Sequence, residues 1–551
     1  RCLSRTMAAS LLKRWCAELP AAATAGAWER VFASGANWRD FLAFTWNIRT
    51  ASGEDVFRTA ADTWDKASPN SWALEGEPQV DRATGVETYA GWLRFNTKAG
   101  TARAHIRLDK EGRAHTLMTA LDELHNGQSS IGASRPRGTQ HGAVKGRRYP
   151  SDPLDEEDLN PYVAIIGGGQ AGMALGARLG LVGVPYVILE SNSRAGDSWR
   201  KRYPSLRLHD PVWYNHLPFL PFPPSWPVFT PRDKMADWLE AYSRTMDLNF
   251  WSSTRVTRAV PLSCGCPESD SRSHGGGGGG SGNGGSGDGT VRDGDHTGWL
   301  IDIEGEGRPL QLSATHLVFA TGMSGYPRVP QLPGADEFEG VMMHSSQYCG
   351  GRPFRGKRAV VIGANTSAHD IAQDLWEQGA ASVTMVQRSP TLVVSTDSVL
   401  RFGLGPLYSE DGIPHEFADY IATTLPYGVV ERRWREMAAQ MRENDADLHE
   451  RLRKVGFQLD FGQDETGVFG KSAREGGGFY INVGASELLA NGDVGIRSGS
   501  GVARVGTKSV VLESGESLDA DLLIYATGYG SMNKFVAELI GEETAARVGR
   551  V

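Results

Sequence analysis

One glycine-rich turn constrains the fold of this chain more than any other feature. The short apolar strand YVAIIG leads into Gly167, Gly169, Gln170, Ala171 and Gly172, with the spacing G-x-G-x-x-G, and a helix-forming stretch follows. In such a turn the first glycine allows a sharp bend, the second lets the backbone approach a pyrophosphate, and the third lets the helix pack on the strand. Free N–H groups at the start of the helix can bind the anion. The pattern therefore predicts a dinucleotide site, with a purely structural loop as the alternative.

A second turn follows the apolar strand KRAVVIG. It runs through Gly363, Asn365, Thr366 and Ser367 and fits the pattern less closely than the first turn does. A helix-forming stretch, SAHDIAQDL, comes directly after it. The order of strand, turn and helix predicts a second nucleotide site.

The strands that follow the two turns end in opposite charges. The first ends at Glu190, where an acid can bind ribose hydroxyls, and the second ends at Arg388 and Ser389. A guanidinium can bind a 2′-phosphate in a bidentate manner, whereas a carboxylate would repel it. The first site is therefore expected to hold an adenosine with a free ribose and the second to hold NADPH. A flavin in the first site could accept the hydride, which predicts FAD there.

Composition limits the remaining possibilities. At 551 residues the chain is too long for one hydrophobic core, so two or three domains are expected. A net charge of −8 argues against nucleic acid as the main partner, and no apolar run is long enough for a membrane span. The five cysteines form no disulfide framework, and Cys264-Gly-Cys266 lacks the further ligands of a metal site. We expect no metal and a reducing compartment such as the cytoplasm. The segment RCLSRTMAASLLKRW is read as a helix, with an organellar transit peptide as the alternative.

Composition also divides the chain. Residues 7–128 combine helical spacing with alternating strands and contain many tryptophans, which predicts a small α+β domain with an aromatic core. The pieces NWRDFLAFTWNIRTASG and GWLRFNTKAGTARAHIRLD resemble the cone-shaped nuclear-transport-factor-like or polyketide-cyclase-like fold. Residues 129–160 are polar and rich in Gly and Pro, as in a linker. A glycine tract within 264–295 predicts a disordered loop. The leading domain is expected to fold separately and to serve self-association or the binding of an apolar ligand.

From residue 161 onward the chain resembles the flavin-containing monooxygenase superfamily, and within it the YUCCA-like branch. The segment GDSWRKRYPSLRLHDP is similar to the family's second FAD-contacting segment, and FEGVMMHSSQY fits the family pattern F-x-G-x-x-x-H-x-x-x-aromatic. Two apolar strands each lead to Ala-Thr-Gly, where small residues permit close approach to a dinucleotide. The candidate cofactor-binding residues from these segments are Gly196, Asp197, Trp199, Arg200, Thr321, Gly322, His344, Ala526, Thr527 and Gly528. Taken alone, a histidine such as His344 is more often structural.

The resemblance implies an α/β fold with two Rossmann-like domains, one inserted in the other. The FAD domain is expected over residues 161–335, the NADPH domain over 336–510, and a return of the FAD domain over 511–551. The family normally continues for several dozen residues beyond this point, so the return segment is expected to be truncated and the activity of the fragment is in question. Homodimerisation is left open.

The resemblance also implies a reaction. NADPH reduces FAD, oxygen adds at flavin C4a, and the protein excludes water so that one oxygen atom reaches a small organic substrate. Amine- and sulfide-oxidising relatives usually carry asparagine near the flavin, whereas this chain has His209 in a Leu-His pair, as YUCCA-type enzymes do. A keto acid such as an aryl-pyruvate is therefore the expected substrate, and His209, as a residue type that titrates near neutral pH, is the catalytic candidate. The alternatives are N- or S-oxygenation and an uncoupled oxidase-like or non-catalytic flavoprotein. A disulfide reductase is disfavoured because the sequence has no Cys-x-x-Cys pair.

Overall fold

The computed structural model describes residues 2–127, 129–135, 137, 159–263, 296–305 and 308–549. The glycine tract and nearly all of the expected linker after residue 137, as well as Cys264 and Cys266, lie outside these residues. The leading unit contains helices α1 (Cys2–Ala25) and α2 (Glu54–Ala67), with strands β1 (Phe32–Phe41), β2 (Ile48–Ser52), β3 (Asn70–Asp81), β4 (Thr88–Asn96), β5 (Gly100–Leu108) and β6 (Ala114–Leu124). The strands form one sheet in the order β2-β1-β6-β5-β4-β3.

Most tryptophans of the leading unit fill the space between its helices and its sheet. Trp15 from α1 contacts Trp72 edge-on at 5.8 Å, and Trp72 stacks on Phe95 at 4.0 Å between ring centroids. Trp28 and Trp38 are also buried in this cluster. The leading unit thus has helices packed on one sheet around an aromatic core, with α2 lying between β2 and β3 in the chain. Its resemblance to the nuclear-transport-factor-like fold stays a prediction.

The first nucleotide unit is a four-stranded parallel sheet with a smaller antiparallel sheet beside it. The parallel sheet has the order β13-β7-β8-β9, and the antiparallel sheet has the order β10-β11-β12. Its elements are β7 (Val163–Ile166), α3 (Gln170–Leu181), β8 (Tyr186–Leu189), α4 (Asp197–Arg200), α5 (Arg232–Thr245), β9 (Phe250–Trp251), β10 (Thr254–Ser263), β11 (His296–Gly305), β12 (Arg308–Ala314) and β13 (His316–Phe319). Because β7 and β8 are parallel, the chain must cross over between them, and α3 makes that crossover.

The second nucleotide unit has a five-stranded parallel sheet in the order β14-β23-β15-β16-β19. Its elements are β14 (Val341–His344), β15 (Arg358–Ile362), α6 (Thr366–Glu377), β16 (Ser382–Gln387), β17 (Leu392–Ser395), β18 (Phe479–Asn482), α12 (Ala485–Asn491), β19 (Gly495–Ser498), β20 (Val502–Gly506), β21 (Ser509–Leu512), β22 (Ser517–Asp519) and β23 (Leu522–Tyr525). Two parallel sheets with crossover helices confirm the α/β class expected from the two turns.

The end of the chain does not return to the first unit where the sequence predicted. Strand β23 pairs with β14 on one side and β15 on the other, so residues 511–525 belong to the second unit. All four β23 residues are buried, and a strand in the middle of a parallel sheet has both its backbone edges and both its faces covered. The return is made only afterwards, by α13 (Asn533–Ile540) and α14 (Glu542–Val548), since Leu539 and Ile540 pack against buried residues of the first unit.

A set of helices between β17 and β18 joins the second unit to the leading unit. This helical insert (residues 396–475) contains α7 (Thr396–Ser398), α8 (His415–Thr423), α9 (Tyr427–Asn444), α10 (Ala446–Lys454) and α11 (Gly467–Glu475). Trp92 on β4 contacts Phe417 at 5.0 Å, and Tyr420 donates a 2.6 Å hydrogen bond to Asp122. The leading unit is therefore packed on the insert, and its separate folding stays a prediction. Among the described residues, no helix is long and apolar enough to cross a membrane.

Candidate functional site

In the first turn, an added side chain would have space at one of the three glycines and would meet backbone atoms at the other two. A Cβ added at Gly167 would lie 2.5 Å from the carbonyl oxygen of Ala320, and one added at Gly172 would lie 2.0 Å from the carbonyl oxygen of Gly167. Gly169 has no neighbouring atom within 4 Å of such a Cβ. The helix α3 begins at the next residue, and no side chain caps its N–H groups. The turn thus offers an open, hydrogen-bonding surface that fits a pyrophosphate.

Glu190 is held at the edge of this surface. One of its carboxylate oxygens accepts a 2.8 Å hydrogen bond from the N–H of Gly168, and the other accepts a 2.7 Å bond from the N–H of Asn192. The side chain is buried, so these bonds fix its position. The acid braces the turn and stands where β8 ends, the position from which a carboxylate can bind a ribose.

The residues of the expected second FAD-contacting segment form a charged network of their own. Asp197 and Arg200 form an ion pair of 3.1 Å, and Arg200 also binds Glu240 of α5 at 2.7 Å. Burial would raise the pKa of Asp197, but hydrogen bonds from Arg200 and Ser193 outweigh it and hold that pKa below its usual value. Gly196 is needed for packing, since a Cβ there would lie 2.2 Å from the carbonyl oxygen of Ala236. Trp199 lines the pocket described below.

The second turn repeats the packing of the first. A Cβ added at Gly363 would lie 2.4 Å from the carbonyl oxygen of Ala526, just as one at Gly167 meets Ala320. Each Ala-Thr-Gly segment therefore lies against one nucleotide turn. Gly322 and Gly528 both have a positive φ and no atom within 4 Å of an added Cβ, so each segment ends beside open space.

The two Ala-Thr-Gly segments also connect the two units. Gly325 donates a backbone hydrogen bond to Gly530, and Gly530 donates one back to Tyr326, at 3.0 and 2.8 Å. The hydroxyl of Thr527 donates to the carbonyl of Arg328. The hydroxyl of Thr321 is buried and has no hydrogen-bond partner among the described residues. Such an unpartnered buried group beside a candidate nucleotide site is consistent with a ligand contact.

Polar side chains of the second turn face outward. Asn365 is exposed, Ser367 is half-buried, and the hydroxyl of Thr366 donates a 3.0 Å hydrogen bond to the carbonyl of Phe479. At the end of β16, Arg388 and Ser389 are both exposed, and Arg388 forms no ion pair with any residue that the structure describes. A free guanidinium at this strand end fits the 2′-phosphate of NADPH.

We expect Arg388→Ala to weaken NADPH binding about ten- to hundredfold while leaving NADH binding nearly unchanged, because only NADPH carries the phosphate. Equilibrium titration of both coenzymes would measure the two dissociation constants. Arg504→Ala removes an exposed cation from β20 and serves as the control. Equal losses for NADPH and NADH would contradict the assignment.

His344 acts as a clamp between β14 and the second Ala-Thr-Gly segment. Its Nδ1 accepts a 3.1 Å hydrogen bond from the N–H of Ser346, so its Nε2 carries the proton and donates to the carbonyl of Gly528 at 3.1 Å. The ring is buried beside Tyr529, and burial lowers its pKa. Both ring nitrogens thus have partners within the chain, which favours a structural role over the expected direct cofactor contact.

His209 lines a cavity of about 380 Å³ between the two nucleotide units and the helical insert. Its Nε2 lies 3.5 Å from Oδ1 of Asp370 on α6, and Oδ2 of Asp370 accepts a 2.7 Å hydrogen bond from Tyr203. The imidazole also contacts the ring of Tyr480 edge-on at 5.8 Å. These contacts fix the orientation of the ring at the wall of the cavity.

Sequence reasoning missed two acids in this cavity region. Asp370 lies in the first turns of α6. The only feature of the sequence that could have indicated it is the position of this acid shortly after the second glycine turn. Asp210 follows His209 and also lines the cavity; burial raises the pKa of its carboxyl, against the opposing charge of His209. Among the described residues, no group of acids, histidines and cysteines could hold a metal ion.

A second histidine, His369, packs behind the cavity. Its ring is fully buried and stacks on Tyr480 at 4.0 Å, its Nδ1 donates to the carbonyl of Asn365, and its Nε2 has no partner among the described residues. Burial lowers the pKa of His369 to about 4, from an ordinary value of 6.5. The folded protein therefore keeps this ring neutral where the unfolded chain would protonate it.

This difference predicts a loss of stability in acid. As the pH falls from about 6.5 towards 4, the unfolded chain gains a proton at His369 that the fold does not, which costs stability of the order of 3 kcal/mol. His369→Phe keeps the stacking and removes the titration, so its free energy of unfolding should fall less over this range. Denaturant titrations at pH 7.5, 6, 5 and 4.5 would measure this. Parallel pH curves for the two proteins would contradict it.

Several known proteins are similar to this chain in sequence or in fold. The family described as pyridine nucleotide-disulphide oxidoreductase matches residues 300–410. The probable indole-3-pyruvate monooxygenase YUCCA10 of Arabidopsis thaliana is 28% identical over 374 residues, covering 68% of this chain and 82% of that protein. The indole-3-pyruvate monooxygenase YUCCA4 of Oryza sativa subsp. japonica is 32% identical over 246 residues, covering 43% and 50%.

Among solved structures, the open crystal structure of cyclohexanone monooxygenase matches with a TM-score of 0.47 and 18% identity, covering 69% of this chain and 76% of that chain. The leading unit's fold is not identified by these matches. The sequence comparisons thus show that the chain is similar to YUCCA-type flavin monooxygenases, which are oxidoreductases.

Proposed function

We propose that the chain is an FAD- and NADPH-dependent monooxygenase that inserts one oxygen atom from O₂ into a keto acid such as an aryl-pyruvate. The observation that carries the proposal is the cavity at His209, which is bounded by the first unit, by the start of α6 at the second turn, and by the insert. A hydride donor bound at one nucleotide unit, a flavin bound at the other and a substrate could meet at such a junction. The sequence relatives, which are named indole-3-pyruvate monooxygenases, support the substrate class.

In this proposal the open surface at Gly169 binds the pyrophosphate of FAD, and Glu190 binds its ribose. Arg388 and Ser389 hold the 2′-phosphate of NADPH beside the second turn. When bound, FAD would supply the redox chemistry that links NADPH oxidation to the activation of oxygen. The residues Gly322 and Gly528 leave space for the two dinucleotides.

One part of the cavity lining suits a reaction from which water must be kept out. Leu404, Phe469 and Ile481 contribute apolar walls there, and among the polar lining residues we assign His209 to holding or moving a proton. Asp370 positions the imidazole through its 3.5 Å contact with Nε2. Water at this site would divert the oxygen to hydrogen peroxide.

The proposal is tested by measuring oxygen uptake, NADPH consumption and peroxide release on the flavin-loaded protein. We expect phenylpyruvate to stimulate NADPH oxidation and to give oxygenated product in proportion, with little peroxide. Amines and sulfides, tested in parallel, address N- or S-oxygenation. If only amines or sulfides stimulate NADPH oxidation, they are the substrates and the keto acid is not. If every compound releases one peroxide for each NADPH consumed, the protein is an uncoupled oxidase and the proposal is contradicted.

A further inference from the structure

A larger cavity lies where the leading unit, the helical insert and the first nucleotide unit meet. Its volume is about 760 Å³. It shares three lining residues, Tyr214, Leu404 and Phe469, with the cavity that contains His209. The two cavities are therefore neighbours with a common wall, and we call the larger one the outer chamber.

Two arginines of the leading unit line the outer chamber. Arg39 on β1 donates to the carbonyl of Leu425 at 3.3 Å, while its Nε is buried without a partner among the described residues. Arg107 on β5 donates to the carbonyl of Thr424 at 3.2 Å and pairs with Asp81 at 2.8 Å. Burial lowers the pKa of both arginines, because their positive charges are poorly solvated.

The chamber has more positive than negative charge available. Arg433 on α9 is an exposed lining residue that forms no ion pair with the described part of the chain, and it acts electrostatically on Arg107. The chamber has two acidic lining residues: Asp81 pairs with Arg107, and Asp419 accepts a 2.7 Å hydrogen bond from the hydroxyl of Tyr408 and lies 3.2 Å from His216. A fourth lining arginine, Arg82, pairs with Glu87. An anion entering the chamber would thus find unpaired guanidinium groups.

The rest of the lining is largely apolar and aromatic. It includes Leu404, Leu407, Tyr427, Trp434 and Phe469, contributed by the insert. A ligand that matches both parts has a flat apolar body and a single anionic group. Guanidinium groups bind carboxylates with directional, charge-assisted hydrogen bonds, so a carboxylate fits better than a neutral polar group.

We propose that the outer chamber binds an aromatic carboxylate, with its anionic group on Arg39 and Arg433, before the ligand reaches the cavity at His209. The leading unit then supplies part of the substrate site by providing Arg39 and, next to it, the Arg107–Asp81 pair. The role of this ligand as the substrate rests on the proposed function, whereas its binding does not.

The test compares two probes that differ in the carboxylate. Phenylpyruvate carries it, and phenylacetone has a methyl group in its place. Isothermal titration calorimetry on the full-length protein should show that Arg433→Gln weakens phenylpyruvate binding about tenfold or more. Binding of phenylacetone should change less than about twofold. Arg58→Gln, which removes a mostly exposed arginine from α2 of the leading unit, is the matched control and should change neither.

Arg39→Gln should have the same selective effect. Because Arg39 also binds the insert through the carbonyl of Leu425, the thermal stability of this variant must be compared with that of the original protein. Arg433 has no such anchoring contact among the described residues, and its variant decides the question if Arg39→Gln is unstable. Unchanged phenylpyruvate affinity in Arg433→Gln, or equal losses for both probes, would overturn the inference.

Flavin content and NADPH oxidation, measured on the same preparations, separate this inference from the proposed function. A protein that binds phenylpyruvate through Arg433 but retains no flavin would contradict the proposed function and support the binding site. A flavin-loaded protein that oxygenates phenylpyruvate, with an affinity unaffected by Arg433→Gln, would contradict the binding site alone.

Discussion

Gly169→Val is expected to give a folded protein that no longer retains FAD. The backbone of Gly169 is extended, with φ −80° and ψ −169°, and no atom lies within 4 Å of an added Cβ, so valine fits without a clash inside the chain. The same side chain would occupy the space that the pyrophosphate needs. We expect an FAD affinity at least about 100-fold weaker, equivalent to about 2.7 kcal/mol. Flavin absorbance per protein and thermal unfolding would measure binding and folding separately.

Two further glycines make this experiment specific. Gly172→Val would place a side chain 2.0 Å from the carbonyl oxygen of Gly167, so it should disturb the turn itself and lower stability. Gly35→Val, on β1 of the leading unit, has open space and no role in the turn, and it should leave both flavin content and stability unchanged. If the Gly169→Val protein keeps its full flavin content, the assignment of the first turn as the FAD site is wrong.

The features that could be predicted from the sequence are those fixed by neighbouring residues. The first turn, its glycines and the acid at Glu190 all lie within one strand–helix–strand unit, and the structure places them together as expected. The opposite charges at Glu190 and Arg388 also come at the ends of corresponding strands, β8 and β16. Local spacing is sufficient here because each strand is followed directly by the residues that bind the ligand.

The features that could not be predicted depend on pairing between distant segments. An apolar strand ending in Ala-Thr-Gly suits either sheet, and the residues of β23 do not reveal that it inserts between β14 and β15. His344 likewise has a family pattern around it, but its bond to Gly528 spans 184 residues and depends on that insertion. The hydrogen bond between His344 and Gly528 follows from the position of β23, whereas a cofactor contact of His344 stays a prediction.

The docking of the leading unit is a further long-range feature. Arg107 and Thr424 are 317 residues apart, and no sequence pattern near either residue predicts their contact. Arg107 stands in an alternating strand, TARAHIRLD, where an arginine would usually face solvent. In the structure it is buried because Asp81 and the carbonyl of Thr424 satisfy its guanidinium.

The position of His209 also required the fold, because its partners come from three separate segments. Asp370 belongs to α6, Tyr480 to β18, and Tyr203 to the loop after α4. Together they hold the imidazole at the wall of the cavity, so a change at His209 should affect the reaction more than the binding of either nucleotide. That separation can be measured.

His209→Gln and His209→Phe are expected to lower coupled turnover of phenylpyruvate by about 100-fold or more, the usual contribution of a positioned acid or base. Glutamine keeps a hydrogen-bonding group near Asp370, and phenylalanine keeps the packing against Tyr480, so flavin content should persist in both. Product and peroxide formed per NADPH consumed, followed from pH 6 to 9, should show more peroxide and a flatter pH profile. The exposed His316→Gln gives the control. Coupled turnover with an unaltered pH profile in both His209 variants would assign the proton to another group, of which Asp210 is the nearest in sequence.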